Sequence, residues 1–273
     1  MFRRPAERGV AAGSSWLHCH SLFNHRVAEL RSKDLVKVVR SSMKKHLRLF
    51  YREWIRPLAI MFIIIAPLRS AVVDWNWVPS GSMKPTIMEG DLVLIDKLAY
   101  DLKVPFTTMH LAQWDNPKRG DVVVFFAPDS GTRLVKRVVG LPGDVVELRN
   151  EVLFLNGKPL NYRVDDPSPF KADLFEDATP LLAREQLGDK DHYVMILPNR
   201  TALRTFGATV IPEGKYFVMG DSRDNSHDSR FFGTVPRDQI VGRVPAILFS
   251  FSPARYLLPR ISRFFRAIDA AKS

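Results

Sequence analysis

The stretch that most limits what this chain can become is Pro57–Leu68, an uncharged run of 12 residues with aromatic and basic residues on both sides. Taken alone, such a run fits a buried core helix or the apolar part of an export signal as well as a membrane span. Its flanks decide the matter. Tyr51, Arg52, Trp54 and Arg56 precede it, and Arg69, Trp75 and Trp77 follow, as interfacial aromatics and snorkelling cations do at the two faces of a bilayer. Trp54 to Trp77 is 24 residues, about 36 Å as a helix, enough to cross a membrane with its interfaces. The run lies behind 56 residues of basic chain and no small-x-small site follows it directly, so it reads as an uncleaved anchor.

Charge then sets the orientation. Of the formal +11, residues 1–56 hold +9, from 13 Lys and Arg against 4 Asp and Glu. The near-neutral remainder argues against a nucleic-acid-binding body, and the basic front fits retention of Lys and Arg on the cytoplasmic side; a plain basic tail is the simpler alternative. The expected layout is single-pass: residues 1–53 a basic cytoplasmic segment, 54–77 the transmembrane anchor, and the rest outside the cytoplasmic membrane. Met43 opens the basic helical stretch before the anchor and is an alternative start of translation. The single cysteine, Cys19, leaves no intrachain disulfide, and no histidine spacing matches a zinc site.

Beyond Trp77 the pattern changes to short β-branched and aromatic runs separated by Gly, Pro and Asp. Strands are expected at 91–97, 121–127, 134–139, 145–148, 152–155, 193–197, 216–219 and 241–251, with hairpin turns at Arg149-Asn150 and Asn156-Gly157. No regular helices alternate with them, which excludes a doubly wound parallel sheet and predicts a mainly β chain of antiparallel sheets. Residues 165–190, rich in proline and then in Leu and Ala, read as an insertion. The tail Arg255–Arg266 mixes basic and bulky apolar residues at near-helical spacing, which suits an anionic membrane surface or a helix packed on the body.

Three clusters carry chemistry. In Val78-Pro-Ser-Gly-Ser-Met-Lys-Pro-Thr86, two prolines and a glycine force a bent, extended loop able to expose a serine hydroxyl and free amides, although a linker would look similar. In Leu134–Val139, strict alternation puts Lys136 on one face with Leu134 and Val138. A lysine held against apolar neighbours loses solvation, its pKa falls from about 10.4, and the neutral amine can take a proton from serine. An edge lysine that discourages aggregation is the competing reading. The third cluster, Gly220-Asp-Ser-Arg-Asp-Asn-Ser-His-Asp-Ser-Arg230, concentrates side chains able to fix a loop by ion pairs; its aspartate spacing is not that of an EF-hand.

These clusters, in this order, resemble the boxes of bacterial type I signal peptidases: Pro79-Ser-Gly-Ser-Met-x-Pro-Thr86, Gly90-Asp91 with Lys97, Lys118-Arg-Gly-Asp121, Lys136-Arg137 with Gly140-Leu-Pro-Gly-Asp144, and Gly220–Ser226 with Asp228-Ser-Arg230. The likeness runs from about 57 to 251. It implies a serine endopeptidase with Ser82 as nucleophile, Lys136 as general base, and Ser80 with the Ser82 amide as oxyanion hole. It further implies that Ser226 hydrogen-bonds and orients Lys136, supported by Asp228, Arg230 and Arg137. The implied fold is two antiparallel β-sheet domains behind one transmembrane helix: a catalytic domain of residues 78–148 and 214–252, an inserted second domain of 149–213, and a basic amphipathic tail of 253–273.

The implied partners are signal peptides of secretory preproteins and the lipid bilayer, with no nucleic acid, metal or cofactor. The implied place is the bacterial cytoplasmic membrane, catalytic domain on the periplasmic side. Lys84, Ser222 and His227 depart from the pattern, and only His227 bears on mechanism, because Ser82, His227 and an aspartate would also make an acceptable triad. A self-cleaving repressor and a non-catalytic membrane-tethered module are the competing classes; the first is soluble, which the Pro57–Leu68 run opposes.

Overall fold

The computed structural model describes residues 37, 40, 42–104, 107, 109–165, 180–255 and 257–268. Cys19, most of the 1–53 segment and the prolines at 167 and 169 lie outside the described residues. The chain forms two compact units, Met1–Ile65 and Ala66–Ser273. In the first, helix from Ser42 passes through a π-helical turn at Tyr51–Ile55 into α1 (Arg56–Ala71). Ser42–Ala71 is the one helix among the described residues long and apolar enough to cross a membrane. Leu58, Phe62, Ile63 and Ile64 are more than half exposed.

The helix stops at Ala71, earlier than the expected exit at Trp77. Val73–Trp77 instead forms β1 and pairs antiparallel with β2 (Asp91–Asp96), Val73 opposite Asp96 and Trp77 opposite Leu92. β-Branched and aromatic residues lose little in a pleated strand, and the neighbouring edge supplies backbone partners. Trp75 and Trp77 therefore belong to the sheet.

The second unit is built on a ten-stranded antiparallel sheet. Its central path runs β15 (Val235–Pro236), β14 (Lys215–Met219), β6 (Arg133–Gly140), β5 (Val122–Phe126), β16 (Ile240–Arg243), β2, β17 (Ala246–Ser252) and β18 (Leu258–Pro259). β1 joins at β2, and β19 (Arg266–Ala267) joins at β17. β5 is buried on both faces: Val122 and Val124 pack in one core cluster with Met83 and Ile87, and Val123 and Phe125 pack in another with Val138 and Val218. That explains its uninterrupted apolar sequence. The expected 241–251 strand is two strands, because Pro245 brings no amide to a ladder.

Smaller sheets complete the unit. β13 (Phe206–Val210), β7 (Val145–Arg149), β8 (Val152–Leu155) and β9 (Lys158–Pro159) make one, and β10 (Asn161–Asp165), β11 (Leu181–Leu187) and β12 (Lys190–Ile196) another. β3 (Asp101–Lys103) and β4 (His110–Gln113) form a separate hairpin. The Leu- and Ala-rich piece read as part of an irregular insertion is thus the middle strand of a sheet. Asn156 and Gly157 have φ of 52° and 78°, the expected tight turn, whereas the turn before it uses Asn150 and Glu151, one residue later than expected. Among the described residues the tail forms no α-helix and makes short strands and 3-10 turns, the strands pairing with β17.

Candidate active site

Ser82 lies in the 3-10 turn Gly81–Met83, which follows the extended Pro79-Ser80 backbone. Met83 inserts into the first core cluster and is 1% exposed, so the turn is pinned by the residue next to the serine. Lys136 comes from the middle of β6, opposite Val123 on β5, with Leu134 and Val138 of the same strand in the second core cluster. The alternation argument placed it correctly. Its Nζ is 2.6 Å from Ser82 Oγ, with both residues buried.

Burial is the main influence on the Lys136 amine and brings its pKa down to about 8, against the pull of Asp228 and Asp221 and with help from Arg230. An amine with that affinity, in contact with a hydroxyl, can accept the proton of an attacking serine and return it to a leaving amine. Ser80 Oγ lies 3.4 Å from Ser82 Oγ, on the rim of the same site.

Two buried ion pairs lie beside Ser82 and Lys136. Asp228 accepts from the Gly220 amide at 3.0 Å and from Arg230 Nε at 2.8 Å, and Arg230 also donates to the Arg223 carbonyl at 2.6 Å. Burial alone would raise the Asp228 carboxyl; Arg230 holds it below the ordinary range. Arg137 makes the second pair. It grips Asp221 through Nε and Nη2 at 2.9 and 2.7 Å, and its Nη1 donates to the Gly120 carbonyl at 2.8 Å. Asp221 also accepts from the Thr86 hydroxyl at 2.5 Å, which ties the segment after Ser82 to the residue after Lys136.

Ser226 lies in the loop with Asp228 and Arg230. Its buried hydroxyl lies beside Asp228, whose carboxyl it helps to hold low, and no hydrogen bond joins it to Lys136 among the described residues. The side chain is pressed on the α-carbon of Gly220, where a Cβ would meet Ser226 and the Ser82 carbonyl at once. Only glycine fits there. His227 lies apart from the serine: it is exposed, bonds Asp129 at 2.9 Å and stacks on Phe231.

Sequence reasoning gave no role to Thr86 and Asp221 and missed a second buried network. Glu185 of β11, fully buried, receives Arg223 at 2.7 Å and the Tyr162 hydroxyl, with His192 Nε2 at 3.3 Å. Burial would raise the Glu185 carboxyl, yet Arg223 and His192 keep it far below its usual range. The Met195 amide donates to the Asp221 carbonyl at 2.8 Å, so β12 braces the loop that carries Ser226 and Asp228. No cluster able to hold a metal ion occurs among the described residues.

A mainly β chain that buries a serine hydroxyl against a desolvated amine has the build of a serine peptidase. Comparison agrees: the family described as signal peptidase, peptidase S26, matches residues 51–249. Signal peptidase I of Pseudomonas fluorescens is 37% identical over 217 residues, 75% of this chain and 74% of that protein. Signal peptidase I of Pseudomonas aeruginosa is 36% identical over the same shares, and signal peptidase IB of Staphylococcus aureus (strain MRSA252) 33% over 214 residues, 78% of this chain and 95% of that protein. The chain belongs to the peptidase S26 signal peptidase family.

Proposed function

We propose that this protein is a membrane-anchored endopeptidase that removes signal peptides from exported preproteins, with Ser82 as nucleophile and Lys136 as general base. The observation that carries the reading is the 2.6 Å contact between a buried hydroxyl and a buried amine brought down to about 8. Ser82 Oγ attacks the scissile carbonyl carbon and its proton passes to Lys136 Nζ. The oxyanion takes hydrogen bonds from the Ser80 hydroxyl and the Ser82 amide, each such donor being worth about 3 kcal/mol to a transition state. Lys136 then protonates the departing amine, and afterwards takes a proton from the water that cleaves the acyl-enzyme. Asp228 with Arg230, and Asp221 with Arg137, hold the loops that carry these groups.

The substrate binds as an added strand with small residues such as alanine in shallow pockets. The apolar part of the helix Ser42–Ala71, from Trp54 onward, lies in the bilayer, the basic front segment in the cytoplasm and the β body on the outer side, which keeps the enzyme on the surface where its substrates emerge. The test is cleavage of a preprotein with an Ala-x-Ala site by the detergent-solubilised full chain. Mass spectrometry should find the cut after the second alanine; an intact preprotein would defeat the reading.

Two further outcomes follow from the geometry. Because only the neutral amine can accept a proton, kcat/KM should rise with pH through an acid limb near 8, and a limb centred near 6.5 would instead indicate a histidine. His227→Ala should retain activity within about twofold in the same assay, since His227 spends its hydrogen bond on Asp129 at the surface.

A further inference from the structure

The family match ends at residue 249, yet the chain beyond it returns to the segment that carries the nucleophile. Arg263, in the 3-10 turn Ile261–Arg263, is 5% exposed. Its guanidinium donates to the two carboxylate oxygens of Asp91 at 2.6 and 3.4 Å and to the Thr86 carbonyl at 3.0 Å. Asp91 is fully buried and also accepts from the Met88 amide at 2.8 Å. Arg260 donates to the carbonyls of Glu89 at 2.6 Å and Phe251 at 2.8 Å. Ile268 packs on the core cluster that contains Met83 and Ile87.

The segment Met83–Asp91 is therefore held from two sides. On one, Asp221 and Arg137 take the Thr86 hydroxyl; on the other, the tail takes the Thr86 carbonyl, the Glu89 carbonyl and the Asp91 carboxylate. A tail whose only task was to lie on a surface would keep its guanidinium groups in water, because burying one costs its hydration.

We propose that the C-terminal tail, through Arg260 and Arg263, is a positioning element for the nucleophile segment that keeps Ser82 in reach of Lys136. The inference rests on the Ser82 and Lys136 reading. A hydroxyl displaced by a fraction of an ångström loses rate rather than binding, so the effect falls on kcat.

The experiment compares wild type, Arg263→Lys, Arg260→Met and the double variant Arg263→Met with Asp91→Asn, which removes both charges and strands neither. Thermal melts identify the folded variants, and kinetics on the Ala-x-Ala preprotein are paired with hydrogen exchange of a peptide covering 83–91. The folded double variant should lose about 10- to 100-fold in kcat with KM within about threefold, while amide exchange in 83–91 accelerates about tenfold or more. Arg263→Lys should recover part of the rate. A folded double variant with kcat within twofold of wild type, or with unchanged exchange, overturns the proposal. If the double variant does not fold, Arg260→Met decides by the same two readouts. The exchange measurement needs no activity, so a fully active Ser82→Ala would sink the dyad reading while the tail's hold on the segment is still measured.

Discussion

Lys136→Met should abolish preprotein cleavage, with kcat down by about 10³-fold or more, while the protein melts at the wild-type temperature or above it. Methionine fills the space of the lysine stem, and Leu134 and Val138 already make that part of β6 apolar. What disappears is a desolvated amine that folding disfavours in its charged form. Ser82→Ala should lose as much, and the double variant little more than either single one, because nucleophile and base act as one unit. Activity loss accompanied by a collapse in melting temperature would assign Lys136 to the core alone; full activity without it would remove the dyad.

Glu185→Gln should cost about 3–5 kcal/mol of stability, read from the urea midpoint at unchanged slope. The amide keeps the shape but strands Arg223, whose side chain is 2% exposed and whose charge is stabilised in place by Glu185. Adding Arg223→Met removes the stranded charge and should recover a large part of the loss, the mark of a direct pair in a double-mutant cycle. Because Arg223 sits in the loop with Asp221, and β12 hydrogen-bonds that loop, the single variant should also lose activity before it unfolds.

The parts legible in the sequence were those fixed by local pattern. Alternation in Leu134–Val139 was enough to put Lys136 among apolar neighbours, whereas the two prolines around Ser80-Gly81-Ser82 predicted an extended loop, of which Ser80 is extended and Ser82 is buried in a 3-10 turn. Lys136 and Ser82 are 54 residues apart, so their contact was available only through the resemblance to signal peptidases. Partner choice at long range was not legible. The resemblance grouped Arg137 with Asp228 and Arg230 without naming its carboxylate, which is Asp221, and nothing near Glu185 announces Arg223. The end of the anchor was misplaced because tryptophans mark an interface and a strand equally well, and only the partner edge, β2, decides between them. The tail misled for a similar reason: arginines and phenylalanines spaced as on a helix were in fact distributed between ion pairs with the body and ring contacts such as Phe249 with Phe264.

Four carboxylate and guanidinium pairs, Asp91 with Arg263, Glu185 with Arg223, Asp221 with Arg137 and Asp228 with Arg230, stand within the body, every member with a side chain no more than 6% exposed. Dissolved ions weaken charge contacts only where they can gather around them, and the dehydration that such pairs carry becomes less costly on warming. Brine, which loosens ordinary surface bridges, therefore has little purchase on the clamps beside Ser82 and Lys136. The hold on these two side chains is insulated from the ionic weather of whatever compartment the β body faces.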